Sequence, residues 1–116
     1  MNLGSLIYAL LFVRRQPDLS KLPTALLEHA FLYSAVAYEE AGIGVLDDEL
    51  WDTLGLELLT RKAGCSIDFH MAVNWSVLAM KSTNLALDLN SPICNDARQC
   101  MRNFETAMGV VYGSRT

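Results

Sequence analysis

Tyr38–Asp52 reads YEEAGIGVLDDELWD, and its two halves decide the fold. Up to Gly42 the apolar residues recur at helical spacing. Beyond Gly44 an acid-rich turn, Asp47-Asp48-Glu49, opens a second helical pattern. Glycine ends helices readily because it adopts the left-handed conformation, so Gly42 reads as a C′ stop. Asp47 or Asp48 reads as the N-cap of the downstream helix, with Asp48, Glu49 and Asp52 set against the positive end of its dipole. One helix feeding into another through a short Gly-x-Gly loop predicts an all-α chain.

Upstream, a second predicted helix starts at Ser20 or Lys21, with Ser20 as N-cap and Pro23 in its first turn, and runs to Glu40 or Ala41. Its stretch Ala30–Tyr38, AFLYSAVAY, is apolar almost all round, as befits the centre of a bundle or an oligomer interface. Ala30, Ser34, Ala37 and Ala41 form a small-residue track that permits close helix contact. A first helix spans about Leu3–Arg15, with Leu3, Leu6, Ile7, Leu10 and Leu11 as its stripe, and stops at Gln16-Pro17-Asp18. Its apolar part is about half the ~20 residues that a membrane span needs. It also lacks the flanks of a signal peptide, so a buried core helix is predicted, with no membrane.

Downstream, the third helix runs to Lys62, with Arg61 and Lys62 at the negative end of its dipole and Gly64 closing it. Leu50, Leu54 and Leu58, with Trp51 and Leu59 alongside, form its buried stripe. The fourth helix begins at a Ser66 cap and presents Ile67, Met71, Trp75 and Leu78. Over residues 82–90 the sequence fits either a continuing helix or an extended connector, because Leu85, Leu87 and Leu89 alternate while Leu78, Ser82, Leu85 and Leu89 keep helical spacing. The fifth opens at Ser91-Pro92 and carries Ile93, Ala97, Met101, Phe104, Met108 and Val111 on one stripe to Gly113. The expectation is a single helical domain over residues 1–116, an irregular bundle of about five helices.

Composition agrees with a folded chain: 52 % of the 116 residues are apolar and 19 % charged. A net charge of −4 with scattered basic residues excludes direct nucleic-acid binding by phosphate neutralisation and suits a basic surface on another protein. Cys65, Cys94 and Cys100 share no ligand-type spacing and read as reduced thiols of a cytoplasmic protein.

Chemistry-bearing groups are sparse. Cys65 lies five residues before His70, with His29 elsewhere, and the Cys65 position at a helix start would lower its pKa. The two histidines show no metal-ligand spacing, and the acids around Asp48 do not form a calcium loop, so no metal site is predicted. Gly42-Ile43-Gly44 is followed by acids that would repel a phosphate. Trp51, Trp75, Met71, Met80, Met101 and Met108 fall mostly on stripes predicted to be core. No complete catalytic set is present, and a non-enzymatic protein is expected.

One constellation resembles a known family. Tyr38 lies ten residues before Asp48, and Asp48-Glu49-Leu50-Trp51-Asp52 has the Asp-x-x-aromatic-Asp form, followed by the leucine-rich Thr53–Leu58. This resembles the N-terminal helical subdomain of bacterial NAD-dependent DNA ligases over about residues 33–59. The resemblance implies nicotinamide-nucleotide (NMN or NAD) binding by Tyr38, Asp48, Trp51 and Asp52. It departs from the family at Glu39, where the family has histidine, and at Trp51, where it has tyrosine. With no Lys-x-Asp-Gly motif the chain is not a ligase.

The leading expectation is a helical protein–protein interaction protein, similar in style to small bacteriophage or mobile-element accessory and inhibitor proteins. The surplus apolar faces of the second and fifth helices are its expected surfaces, for a partner or for self-association.

Overall fold

The computed structural model describes residues 9, 11–15, 18–42, 44, 46–80 and 86–108. These form six helices: α1 (11–15), α2 (Thr24–Ala41), α3 (Asp48–Thr60), α4 (Ile67–Ala72), α5 (Trp75–Ala79) and α6 (Pro92–Met108). Short 3₁₀ turns at Leu19–Lys21 and Lys62–Gly64 join them. The fold is an all-α bundle. Its Cα radius of gyration, 13.3 Å, is that of one compact body, since a domain of this length is expected at about 13 Å.

Helix α2 is the axis, packing against both α3 and α6. Leu27, Ala30, Phe31, Leu32, Tyr33, Ser34, Val36 and Ala37 are all buried, so the all-round apolar pattern does mark the central helix. Gly42 ends it with φ +67°, its N–H reaching the carbonyls of Ala37 and Tyr38. On the small-residue track, Ala30, Ser34 and Ala37 are buried, and α6 brings Cys94 and Ala97 into the same core.

The start of α2 differs from the sequence expectation. Asp18, not Ser20, caps, and it caps the 3₁₀ turn, accepting from Ser20 N at 3.1 Å. The chain then extends through Leu22 and Pro23 before α2 begins. A 3₁₀ turn leaves carbonyls without helical partners, and Arg61 supplies them. Its Nη2 donates to Leu19 O at 3.0 Å and Ser20 O at 2.9 Å, its Nη1 donates to Leu22 O, and its Nε donates to Glu57 at 2.8 Å. Arg61 therefore ties the end of α3 to the entry of α2, well beyond a complement to the dipole.

In α3 the cap is Asp47, accepting from Leu50 N at 2.8 Å, and Leu54 and Leu58 are fully buried as expected. The helix stops at Thr60, and Gly64 closes the adjoining 3₁₀ turn. Val13 of α1 is buried and so is Ala9 ahead of it, while Leu11 is exposed. Leu3, Leu6, Ile7 and Leu10 lie outside the described residues.

The fourth predicted helix is two short helices. Val73 is extended and pairs with Leu87 in an isolated antiparallel bridge, with Asn74 N donating to Ala86 O at 2.6 Å and Asp88 N to Ala72 O at 2.7 Å. Asn74 then caps α5, accepting from Val77 N. Residues 86–88 are thus an extended connector, and 81–85 lie outside the described residues. The break shifts Trp75 and Leu78 out of phase with Ile67 and Met71, so the predicted face does not exist. The inward residues are Phe69, Ala72 and Leu78.

An aromatic column fastens the pieces. Trp51 of α3 stacks on Phe31 of α2 at 4.3 Å and 5°. Phe31 meets Phe69 of α4 edge-on at 5.9 Å, and Phe69 meets Trp75 of α5 at 5.9 Å. At the far end of the bundle Arg98 of α6 pairs with Glu39 of α2 and donates to Leu89 O. Because Arg61 serves several carbonyls at once, Arg61→Met is expected to lower unfolding stability by about 2–3 kcal/mol in urea titration. Arg61→Lys, which lacks the planar fork, should recover only part of that loss.

Candidate functional site

The residues singled out by the ligase resemblance stand at the end of α2 and on the first turns of α3. Tyr38 stands on the last turn of α2, 68 % exposed. Trp51 is half-buried and holds one ring face against Phe31. Phe31 lies seven residues before Tyr38, about 10 Å of helical rise, so the tryptophan is level with a different part of α2. Asp48 is exposed and Asp52 half-buried on the first turns of α3. A shallow groove of about 340 Å³ does open beside that turn. Its walls are Val13, Arg14 and Arg15 on one side and Asp47, Glu49, Leu50 and Thr53 on the other, with none of the four resemblance residues among them.

Cys65 is not an activated nucleophile. Its side chain is buried, with the sulfur 3.5 Å from Arg61 O. Burial, and then the Glu28 carboxylate beside it, push the thiol up to about 11, with Arg61 opposing only weakly. The dipole argument fails because the carboxylate stands where the helix N-terminus would otherwise act. His70 is engaged elsewhere: its Nδ1 accepts from Trp75 Nε1 at 3.1 Å, and Lys62 Nζ lies 5.9 Å from the Trp75 ring. Burial holds the His29 imidazole below its ordinary value. Among the described residues no group of three or more His, Cys, Asp or Glu side chains is placed to hold a metal ion, and no helix is long and apolar enough to cross a membrane.

Glu28 is the group that sequence reasoning missed. It is only 5 % exposed. Its Oε2 accepts from Ser66 N at 2.9 Å and its Oε1 from Ser66 Oγ at 2.9 Å, while Ser66 Oγ accepts from Phe69 N at 3.2 Å. In a capping box the third residue of the helix supplies the acceptor for the cap's N–H. Here that residue is Phe69, committed to the core, and Glu28 supplies the acceptor from another helix. The available signal was a carboxylate within the apolar first half of α2, which must find donors when buried.

Fixing α4 in this way turns Ile67 and Met71 outward, 78 % and 71 % exposed, and Met80 beyond α5 is 76 % exposed. Both methionines were expected in the core. On α2 the run from Phe31 to Ser34 with Val36 and Ala37 is buried while Tyr38 stays exposed, and on α6 Cys94 and Ala97 are buried. The side chains of Met101, Phe104 and Met108 lie outside the described residues.

No family model, curated protein or solved structure matches this chain.

The sign of the Cys65 shift gives a test. A thiol raised from 9.0 to about 11 by folding adds stability that is complete below pH 9 and is lost as pH rises towards 11. In native protein at pH 8, a disulfide reagent should modify Cys65 far more slowly than in urea-unfolded protein. Modification at the unfolded rate would contradict the buried thiol.

Proposed function

We propose that this chain is a non-enzymatic helical protein that acts by binding another protein. The observation that carries the reading is the pair Ile67 and Met71, one turn apart on α4 and both largely exposed. Apolar side chains placed outward on a rigid helix remove water-facing area only when a partner covers them. Methionine suits such a surface, because it is flexible and polarizable and adapts to the shape it meets. The acidic turn Asp47-Asp48-Glu49, exposed at the start of α3, adds a charged region for a basic partner surface. Small size, acidity and helical make-up are similar in style to phage and mobile-element accessory and inhibitor proteins.

Affinity capture from the cells that make the protein is the test. The wild-type chain should recover a defined protein partner, and Met71→Glu should lose it while melting within about 0.5 kcal/mol of wild type, as exposed substitutions do. Recovery of nothing by either chain would contradict the reading. Nicotinamide mononucleotide at millimolar concentration should leave the melting temperature and tryptophan emission unchanged. A rise in melting temperature that Asp48→Asn abolishes would replace protein binding with nucleotide binding at Tyr38, Asp48, Trp51 and Asp52.

A further inference from the structure

We propose that His70 is a proton-operated latch on α5: its neutral imidazole holds the Trp75 indole across the break between α4 and α5, and protonation releases it. The two rings stand on either side of Val73 and Asn74, with Trp75 Nε1 donating to His70 Nδ1 at 3.1 Å. An indole N–H is a donor only, so the nitrogen that receives it carries no proton. That fixes the tautomer, with Nδ1 bare and the hydrogen on Nε2. In the imidazolium both nitrogens are donors, and Nδ1–H would then confront another N–H. The bond is therefore complete with the neutral ring. It is lost as pH falls through the range, about pH 8 to 5, in which imidazoles become charged. The latch does not depend on the protein-binding reading above.

The surroundings make the bond matter to α5. That helix has five residues, too few to be stable alone. It is held by the Asn74 cap on Val77 N, by buried Leu78 and by the half-buried Trp75 ring between His70 and Phe69. The indole meets Nδ1 through its N–H edge, the positive rim of an aromatic ring, so new positive charge is opposed there. Lys62 of the 3₁₀ turn already sets a cation 5.9 Å from the same ring, and a second one adds repulsion. The other charged groups nearby have partners or stand in water. From α2, Glu28 reaches Ser66, one turn before His70, where both its oxygens are bonded, and half-buried His29 follows it. Packed on α5, α3 carries Glu57, paired with Arg61, and the acids of its first turns. Packed on α4, α6 carries Arg98, paired with Glu39, and the exposed Asp96 and Arg102. Asp68 of α4 is exposed and lies two residues from His70, well round the helix from it.

Nitrogen NMR on the isotopically labelled full chain, titrated from about pH 8 to 5, tests the latch. The chain has two tryptophans, and Trp51, stacked on Phe31, is the internal control. At the alkaline end His70 should show a bare Nδ1 and a protonated Nε2. On acidification the Trp75 indole N–H should shift with the same midpoint as the His70 ring, while that of Trp51 stays. Exchange protection of the Leu78 amide, bonded to Asn74 O in α5, should fall about 2- to 10-fold, the worth of one hydrogen bond. Protection of the His70 amide, bonded to Ser66 O in α4, should hold. His70→Gln offers an acceptor at every pH, so it should keep the Trp75 signal and the Leu78 protection constant. The opposite tautomer, or a Trp75 resonance that ignores the His70 midpoint, would overturn the latch. So would a Trp75 shift that persists in His70→Gln, or a Trp51 signal that moves in step with Trp75, which would mean general unfolding.

Discussion

The bond pair between Glu28 and Ser66 fixes what the rest of the molecule can do. Glu28 belongs to the central helix and Ser66 to the cap of a helix of six residues. So short a helix has no stability of its own in water, because nucleation costs more than one turn returns. It forms because the N–H and hydroxyl of its cap and the N–H of Phe69 are engaged, two of the contacts by a carboxylate from another helix. That anchoring sets the rotation of α4. Phe69 and Ala72 then face the core, and Ile67 and Met71 face water.

The aromatic column depends on that rotation. Phe69 can meet Phe31 edge-on only if α4 is turned inward at that residue, and Phe31 then has its ring face free for Trp51. Trp75 closes the far end against Phe69 and donates to His70. Contacts of this kind add about 0.5–1.5 kcal/mol each beyond the area they bury. Arg61 and Arg98 act at the two ends of α2 in the same manner, each pairing with a carboxylate while donating to backbone carbonyls of the neighbouring connection. Irregular connections stay ordered because long cationic side chains complete their hydrogen bonding.

Much of this fold was legible in the residues. The all-round apolar Ala30–Tyr38 marked the central helix, Gly42 its end and Asp47 or Asp48 the cap of α3, of which the structure has Asp47, since each depends on near neighbours alone. The entry to α2 was not legible: Ser20 has the right chemistry for a cap, but its own N–H and hydroxyl both donate to Asp18, which caps the 3₁₀ turn instead. The fourth helix misled for a longer-range reason. Ile67, Met71, Trp75 and Leu78 keep helical spacing, yet the backbone of Ala72–Asn74 bonds to Ala86 and Asp88, and that pairing breaks the phase. Spacing along a chain cannot register a bridge to a segment over ten residues away. The candidate site fared similarly. The Asp-x-x-aromatic-Asp pattern is local and correctly marked a helix start, whereas the burial of Cys65 and the exposure of Met71 depend on Glu28, nearly forty residues earlier.

The functional reading inherits this constraint, because a face composed of Ile67 and Met71 exists only while Ser66 is held by Glu28. A double-mutant cycle between Glu28→Ala and Ser66→Ala, read by urea unfolding, tests it most directly. Two charge-assisted bonds to a buried carboxylate predict a coupling of about 1–3 kcal/mol, with either single variant losing most of the stability lost by the pair. Effects that add to within about 0.5 kcal/mol would contradict the account, because the phase of α4 would then be set by other contacts.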